Sequence, residues 1–329
     1  MAAQPALKSS LHSQLYRAVH TLVAAASRSD PSPPPSLQFV PTHVSARHDD
    51  AARLSDFIFS KKKLVCLTGA GISTESGIPD YRGEGVGLYA TSRKKPMQFA
   101  DFMASDRFRQ SFWARNYVGW NSFNQVQPNM THVFLANLEK RHDKVLHWLI
   151  TQNVDGLHIK AGSRRITELH GTSFQTHCLS CGYMISRKTF QEHLREANPS
   201  FHAVSLAIRP DADVELTTEQ VSSFNVPPCR KCQKGIMKPY IVYFGENVPK
   251  ERVAFLYRMV EESDGLLVLG SSMQVYSGYR FAVSAAQQKK PIAIVNIGST
   301  RADHLANLKL DNVRCADVLS FINIDSNSV

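Results

Sequence analysis

Short apolar runs alternate with amphipathic helical stretches along most of the chain. Runs of four to seven largely apolar residues have the length of buried strands, and they cover residues 64–67, 145–151, 241–244, 266–269 and 292–295. Apolar residues at helical spacing predict helices over residues 51–60, 99–103, 108–123, 129–141, 251–262 and 279–288. Buried strands that alternate with helices predict an α/β fold with a doubly wound, Rossmann-like parallel sheet.

The predicted helix over residues 108–123 carries an aromatic face made of Phe112, Trp113, Tyr117 and Trp120. Such a face packs more often in a core or under a lid than against a cofactor. We therefore expect this helix to be part of the packing of the fold.

The first apolar run ends in a glycine-rich turn, Gly69-Ala70-Gly71, which leads into a polar stretch. Glycines let backbone N–H groups approach a phosphate, and the N-terminus of a following helix adds partial positive charge. The turn lacks the lysine of a P-loop, and Thr74 stands where a dinucleotide fingerprint has its third glycine. An ordinary tight turn is the alternative, but residues 77–82 add a carboxylate, an aromatic ring and a guanidinium, which favours a nucleotide site.

Small or polar residues follow each of the five predicted strands. They lie at residues 69–71, 152–155, 245–246, 270–272 and 296–298. In open α/β sheets ligands bind outside the carboxyl ends of the strands. The five clusters together predict one nucleotide-binding crevice.

Four of the six cysteines form two C-x-x-C pairs, Cys178 with Cys181 and Cys229 with Cys232, with 47 residues between the pairs. Two such pairs can supply four thiolates to one tetrahedral zinc ion, which is then structural because no coordination position stays open. A redox dithiol is the alternative. We expect a helical or looped insertion over residues 189–226, and we expect the two other cysteines, Cys66 and Cys315, to pack as small apolar residues.

His170 precedes a glycine and lies eight residues before the first cysteine pair. Its place between the predicted sheet and the zinc module would put it in a cleft between domains, where a group that titrates near neutral pH suits general-base chemistry. Residue type alone does not separate it from His147 or His158. Asp155 follows a predicted strand and could hold a polar ligand group or act as a helix N-cap.

The N-terminal residues have the composition of a mitochondrial transit peptide. Residues 1–29 contain three basic residues and no acidic residue, and leucines and a valine recur at helical spacing. A disordered tail is the alternative, and the apolar stretch is too short for a secretory signal. We predict a transit peptide over residues 1–28, a proline-rich linker over residues 29–50 and a location in the mitochondrial matrix.

The net charge of +10 and the isoelectric point of about 9.3 could indicate a nucleic-acid partner. Part of this charge lies in the N-terminal residues, however, and the remaining basic residues are dispersed. We therefore expect no nucleic-acid partner. The sequence also contains no run of about 18 apolar residues, and we expect no membrane span.

The motifs taken together resemble the sirtuin family over residues 51–323, and within it the mitochondrial class II branch. The matching motifs are the four paired cysteines and residues 69–73, 77–82, 151–155, 169–171, 238–246 and 270–272. Residues 210–214, 274–281 and 296–301 resemble the class II mitochondrial branch. Tyr81 stands where the family more often has phenylalanine, and the tyrosine keeps the aromatic ring at this position.

The resemblance implies a division of the chain into a Rossmann-like core, a helical insertion and a zinc module. The core would comprise residues 51–90, 129–177 and 240–323, the insertion residues 91–128, and the zinc module residues 178–239.

The resemblance further implies an NAD-dependent protein-lysine deacylase, of the deacetylase or lipoamidase type, that consumes NAD and carries one structural zinc ion. The implied NAD-binding residues are Gly69, Ala70, Gly71, Ser73, Pro79, Asp80, Tyr81, Arg82, Tyr89, Gln152, Asn153, Val154, Asp155, Gly270, Ser271, Ser272, Asn296, Ile297, Gly298 and Cys315. The acyl oxygen would attack the ribose carbon that nicotinamide leaves, and His170 would act as general base through the ribose hydroxyls. Residues 244–246 would pair with the substrate peptide as an added strand.

The implied substrates are acylated lysine side chains of mitochondrial proteins, metabolic enzymes above all, and the implied state is a monomer. Desuccinylating relatives carry a tyrosine and an arginine beyond the first motif, whereas residues 86–91 contain no arginine at the matching spacing. We therefore expect neutral acyl chains to be preferred over succinyl.

Three other functions remain open at the level of sequence. Within the family, transfer of ADP-ribose to a protein acceptor uses the same cleavage of NAD. A dehydrogenase would also need a doubly wound sheet and NAD, but it should show the complete glycine fingerprint. A zinc-ribbon nucleic-acid binder would agree with the basic isoelectric point, but it should show a dense basic face.

Overall fold

The computed structural model describes residues 37–92, 96–203 and 209–324. A six-stranded parallel sheet is made of β1 (Leu64–Thr68), β2 (Leu146–Thr151), β3 (Ile166–Glu168), β7 (Gly265–Leu269), β8 (Ile292–Asn296) and β9 (Leu308–Asp311). A three-stranded antiparallel sheet is made of β4 (Gly171–Cys178), β5 (Met184–Ser186) and β6 (Met237–Ile241). The strand orders are β3-β2-β1-β7-β8-β9 and β5-β4-β6.

Helices surround both sheets. They are α1 (His48–Phe59), α2 (Leu88–Thr91), α3 (Phe99–Ala104), α4 (Asp106–Gln125), α5 (Met130–Lys140), α6 (Leu157–Ala161), α7 (Arg187–Ala197), α8 (Thr218–Ser222), α9 (Lys250–Glu262), α10 (Tyr276–Gln287) and α11 (Cys315–Ser320). Two 3₁₀ helices span Ala70–Ser76 and Asp303–Leu305. No helix of the described ranges combines the length and the hydropathy needed to cross a bilayer.

The central strands β1, β7 and β8 are buried along their whole length. Alternate residues of β1 face opposite layers: Leu64 and Cys66 pack with α1, α5 and α11, whereas Val65 and Leu67 pack with α9 and α10. Helices on both faces explain why these strands are continuous apolar runs, and the predicted doubly wound parallel sheet is confirmed.

The third predicted strand, residues 241–244, is wrong as a member of the parallel sheet. The strand that forms there is β6, which ends at Ile241 and pairs with β4 in the antiparallel sheet, Lys238 opposite His177. Beyond it the chain runs along the cleft, where Val242 N donates to the carbonyl of His170. A short apolar run indicates burial but does not indicate which sheet the segment joins.

The edge strands β3 and β9 were not predicted from the apolar pattern. All three residues of β3 are half-buried, and β9 alternates between buried and partly or fully exposed residues. Strands of three and four residues with such mixed exposure leave too little periodicity to detect.

The aromatic face of α4 is core, as expected. Phe112, Trp113 and Trp120 are almost completely buried, and Trp113 Nε1 donates to the carbonyl of Met237 at 3.0 Å. The buried guanidinium of Arg187 lies over the rings of Trp113 and Trp120, at 5.2 and 4.7 Å from their centres. The face therefore joins α4 to the antiparallel sheet and to α7.

The folded part of the chain extends further towards the N-terminus than residue 51. Val44 pairs with Val313 beyond β9, and α1 begins at His48 because Asp50 accepts a hydrogen bond from the backbone N–H of Arg47. The described part of the predicted linker, from residue 37 onwards, thus contacts the sheet. The predicted transit peptide, residues 1–28, lies outside the described residues.

Two buried histidines lie beneath the glycine turn. His158 Nε2 lies 3.0 Å from Oγ1 of Thr68 at the end of β1, and its ring centre lies 4.7 Å from that of His132. Burial lowers the pKa of His158 to about 3 and holds the pKa of His132 well below its usual value. Both imidazoles are therefore neutral in the folded protein at neutral pH.

This pair predicts that stability falls on mild acidification. Because the unfolded chain protonates His158 near its usual pKa of 6.5 and the folded chain only near 3, the stabilisation is present above pH 6.5 and is lost as the pH falls. From pH 7 to pH 5 this one group should remove about 2 kcal/mol from the unfolding free energy. Urea unfolding of the wild type and of His158→Gln at both pH values measures this difference.

The exposed His202 offers the matched control, since its side chain lies in water in both states. His202→Gln should keep the wild-type pH dependence, whereas His158→Gln should reduce it. An unchanged pH dependence in His158→Gln would contradict the burial of a neutral imidazole.

Candidate active site and metal centre

A cleft of about 780 Å³ lies at the carboxyl ends of the parallel strands, a size usual for ligand sites. It brings together most of the predicted nucleotide-binding residues. Those that line it are Gly69, Ala70, Gly71, Ser73, Asp80, Tyr81, Arg82, Gln152, Asn153, Val154, Asp155, Gly270, Ser271, Ser272, Asn296, Ile297 and Gly298. His170 also lines it, whereas His147 and His158 do not.

The glycine turn after β1 packs directly on the turn after β7. Gly71 N donates to the carbonyl of Gly270 at 2.9 Å, and a Cβ on Gly71 would lie 2.8 Å from that oxygen. A Cβ on Gly69 would lie 2.7 Å from Cβ of Ser271. Only glycine permits this approach, and the two turns together form one wall of the cleft. The helix that follows is 3₁₀ rather than α, and it ends at Gly77, whose φ is 88°.

Polar side chains from the end of β2 connect these turns. Gln152 Nε2 donates to Ser271 Oγ at 2.7 Å, and Asn153 Nδ2 donates to the carbonyl of Gly69 at 3.1 Å. Ser73 donates to the carboxylate of Asp155 at 2.7 Å, which partly offsets the burial that raises the pKa of Asp155. Asp155 also accepts from the N–H of Leu157 at the start of α6, so it is both a helix cap and a cleft residue.

The segment after the 3₁₀ helix forms the opposite side of the cleft. Asp80 accepts a hydrogen bond from Gly83 N at 2.7 Å, which closes the turn at its tip. The ring of Tyr81 meets the edge of Phe244, with 5.9 Å between ring centres. Tyr89 packs behind Tyr81 and beneath Arg82, so Tyr89 supports this wall without lining the cleft.

Two further predicted residues do not line the cleft. Pro79 lies in the turn behind Asp80. Cys315 is buried below β8, where its thiol points to the carbonyl of Val295 at 3.6 Å and burial raises its pKa to about 12. The Cys315 side chain therefore packs in the core, as was expected for its residue type, whereas the predicted nucleotide contact concerns the backbone near it.

The end of β8 supplies the far end of the cleft. Asn296 Nδ2 donates to the carbonyls of Ile297 and Gly298, both at 2.9 Å. Oδ1 of Asn312 accepts a hydrogen bond from Gly298 N at 3.2 Å, and Gly298 has a positive φ. These bonds hold the backbone of this turn in a single shape.

The imidazole of His170 is held on both sides. Its Nδ1 lies 2.9 Å from the carbonyl of Gln152 and its Nε2 lies 2.8 Å from Oγ of Ser277 at the start of α10. Burial lowers the pKa of His170 to about 4, an effect that the hydrogen bond to Gln152 opposes and the charge of Arg252 assists. The ring is neutral at neutral pH and lies at the cleft wall.

The segment after β6 also lines the cleft. Phe244 accepts a hydrogen bond from Phe99 N at 2.9 Å, and Glu246 forms an ion pair with the buried Lys238 at 2.9 Å. Lys238 belongs to β6, whose first residue, Met237, pairs with Cys178 of the cysteine cluster. The segment is thus connected through one strand to the metal centre.

The four paired cysteines converge in one cluster. Their sulfurs all lie within 4.8 Å of one another, with 3.7 Å between Cys178 and Cys232 and 3.8 Å between Cys181 and Cys229. Four Zn–S bonds of about 2.3 Å in a tetrahedron place the sulfurs about 3.8 Å apart. The cluster fits one structural zinc ion, and the prediction of a four-cysteine zinc site is confirmed.

Three residues of the cleft carry chemistry that sequence reasoning did not assign. Ser277 contacts His170, Arg280 follows it on α10, and Asp211 enters the cleft from the insertion between the cysteine pairs. Ser277 and Asp211 lie in motifs that served only to indicate a branch of the family. Ser277 lies 107 residues from His170, and Asp211 lies 130 residues from Tyr81, so no local pattern indicates these approaches.

Known proteins share both the sequence and the fold of this chain. The Sir2 family model matches residues 69–277. The NAD-dependent protein deacylase Sirt4 of Drosophila melanogaster is 51% identical over 282 residues, which are 86% of this chain and 89% of that protein. The NAD-dependent protein lipoamidase sirtuin-4, mitochondrial, of Homo sapiens is 50% identical over 285 residues, 87% of this chain and 90% of its own. A solved Sir2–p53 peptide–NAD⁺ complex matches this chain with a TM-score of 0.63 at 29% sequence identity, and the match covers 82% of this chain and 94% of the solved chain.

The zinc cluster predicts a strict requirement for glycine at position 235. A Cβ on Gly235 would lie 2.2 Å from the sulfur of Cys178 and 2.9 Å from that of Cys232. Gly235→Ala should therefore separate the thiolates and lower the bound zinc well below one ion per chain, as measured by mass spectrometry of the metal. Lys234→Ala removes a neighbouring exposed side chain and should keep full zinc content, and full zinc in Gly235→Ala would refute the cluster geometry.

Proposed function

The chain belongs to the Sir2 family, and we propose that it is an NAD-dependent protein deacylase that removes acyl groups from lysine side chains. The observation that carries the proposal is the meeting of His170 with the glycine turn and the ends of β2, β7 and β8 in one cleft. The curated relatives named as deacylases and lipoamidases support it, since they match most of this chain.

The cleft suits an extended dinucleotide. The backbone of Gly69 and Gly71 and the hydroxyls of Ser271 and Ser272 would receive the phosphates and riboses, and the turn at Asn296 would receive the adenosine end. The positive φ angles at positions 270 and 298 favour glycine, so Gly270 and Gly298 place no side chain in either turn.

The reaction needs polar surroundings more than it needs a strong enzyme nucleophile. Bound NAD would supply the ribose carbon to which the acyl oxygen bonds when nicotinamide leaves, and positive charge develops on that ribose. Asp155 and Asn153 line the cleft and would stabilise such charge. Tyr81 and Phe244 present aromatic rings that exclude water from it.

His170 is suited to act as the base. Because a carbonyl only accepts hydrogen bonds, the bond to Gln152 places the proton of the neutral ring on Nδ1, which leaves a lone pair on Nε2. A pKa of about 4 keeps this form dominant at every pH well above 4. The imidazole can therefore take a proton from a ribose hydroxyl without losing its own first.

The substrate would bind along residues 244–246. This segment pairs with Gln98 on one side through Phe244, and its backbone borders the cleft on the other. An extended peptide could add there as a strand, with the acylated lysine directed towards Tyr81. The bond between Lys238 and Glu246 holds the segment in place.

We further propose that the protein acts in the mitochondrial matrix on acylated lysines of metabolic enzymes, as a monomer. The names of the bovine and human relatives include the word mitochondrial, and residues 1–29 contain no acidic residue. Import of a full-length fluorescent fusion, followed by fractionation, tests the compartment, and size-exclusion chromatography with light scattering tests the oligomeric state.

Replacement of the base predicts loss of turnover. His170→Gln removes the lone pair that accepts the proton and should lower nicotinamide release from NAD and an acetyl- or lipoyl-lysine peptide at least about 100-fold. His147→Gln changes a histidine of β2 outside the cleft and should keep activity within about twofold. Zinc content should be unchanged in both proteins.

The same assay separates the competing functions. Peptide mass reports deacylation, protein mass reports attached ADP-ribose, and hydride transfer would leave nicotinamide bound to its ribose. Activity of His170→Gln equal to that of the wild type, or nicotinamide release without loss of the acyl group, would count against the deacylase.

The acyl end of the cleft carries a carboxylate that bears on the choice of acyl group. Asp211 lies at the cleft beside Tyr81 and Tyr243, and its charge adds to the burial that raises the pKa of both phenols. Burial raises the pKa of Asp211 to about 6, so it is ionised at pH 8. Arg115, whose charge opposes this rise, is paired with Asp213, and Arg209 is paired with Asp213 and Glu215.

This carboxylate predicts that neutral acyl chains react faster than succinyl chains. At pH 8 acetyl- and lipoyl-lysine peptides should turn over faster than succinyl-lysine, and Asp211→Asn should raise succinyl turnover relative to acetyl about tenfold, since like charges at close range repel. Glu84→Gln, at the exposed rim of the same cleft, should not. Fastest turnover of the succinyl peptide by the wild type would refute the preference.

A further inference from the structure

Ser277 occupies the nitrogen of His170 through which the base would act. The hydroxyl of Ser277 lies 2.8 Å from Nε2, while Nδ1 lies 2.9 Å from the carbonyl of Gln152. Since the proton of the neutral ring is on Nδ1, Nε2 accepts and the hydroxyl donates. Both ring nitrogens are thus satisfied before any substrate is bound.

The position of Ser277 is set by tight packing of α10 on the end of β2. A Cβ on Gly278 would lie 2.7 Å from Oε1 of Gln152, so a larger residue at this position would displace the amide of Gln152. Gln152 is itself held by its bond to Ser271. The serine and the imidazole therefore meet between two rigid elements.

We propose that Ser277 is a positioning residue for His170, holding Nε2 at the cleft wall until a ribose hydroxyl of the dinucleotide replaces the serine. The proposal deepens the proposed function and rests on it. In the step that follows, the O–H bond of the ribose breaks, the proton bonds to Nε2 and the oxygen keeps the electron pair. The hydroxyl of Ser277 is then free to rotate, and the imidazolium still donates from Nδ1 to Gln152.

The charged groups around the imidazole allow the effect of the serine to be isolated. Arg252 of α9 lies behind His170, where it donates to the carbonyl of Leu169, and its charge lowers the pKa of the ring. Glu168 of β3, whose pKa burial raises to about 7, Asp155 after β2 and Arg280 of α10 are the other charged groups of this region. All of them stay in place when only the serine hydroxyl is removed.

The first test uses the full-length protein without NAD. The hydroxyl donates to Nε2 of the neutral ring and can rotate to accept from Nε2–H of the imidazolium, and the bond from the charged donor is the stronger one, so Ser277→Ala should lower the pKa of His170 by about half to one pH unit. NMR titration of ¹³C-histidine-labelled protein measures this shift, and the signal is assigned by its loss in His170→Gln. Ser277→Thr keeps the hydroxyl and should titrate like the wild type, as should Ser284→Ala further along α10.

The second test uses the steady-state reaction. In Ser277→Ala the acidic limb of kcat/KM for NAD should move to lower pH by the same amount as the NMR value, and Ser277→Thr should restore it. Equal His170 pKa values in Ser277→Ala and wild type would overturn the proposal. If the NMR shift occurs but neither the wild type nor any variant releases nicotinamide, the contact between Ser277 and His170 is supported and the proposed deacylase function is contradicted.

Discussion

The close approach of two glycine-containing turns is the constraint on which the rest of the site depends. Neighbouring strands β1 and β7 end together, and Gly69 and Gly71 lie against Gly270 with no room for a Cβ between them. Gln152 and Asn153 then bond to one turn each, Gln152 to Ser271 and Asn153 to Gly69. Through Gln152, the same constraint determines where the imidazole of His170 lies.

Burial is the common cause of the unusual protonation states around the cleft. It keeps His170 neutral, raises the pKa of Asp155 and keeps both His132 and His158 neutral beneath the turn. Burial favours the neutral imidazole of His170, and a hydrogen bond then selects its tautomer, since the carbonyl of Gln152 determines which nitrogen carries the proton. The tautomer that the proposed base requires is therefore present before substrates arrive. The zinc cluster supports the shape of the cleft from a distance, because β6 runs from the cluster to the segment that borders the cleft.

Local sequence patterns were sufficient to predict those parts of the fold that depend on residues close together in the chain. The buried strands, the glycine turn and the two cysteine pairs each have a signature of a few residues, and their places at the sheet edge follow from topology. The segment at residues 241–244 shows the limit, since its apolar pattern indicated burial but its partner is β4. Ser277 and Asp211 were not predicted as site residues because their approach to the cleft comes from helix packing and from a long insertion. Pro79, Tyr89 and Cys315, by contrast, were predicted from the resemblance but do not line the cleft.

The most direct test of the account is a crystal structure of the full-length protein with ADP-ribose. The account predicts that the diphosphate contacts the backbone of residues 69–71 and that a ribose hydroxyl lies about 3 Å from Nε2 of His170, in place of the hydroxyl of Ser277. A nucleotide bound outside this cleft, or one whose ribose lies away from His170, would contradict it.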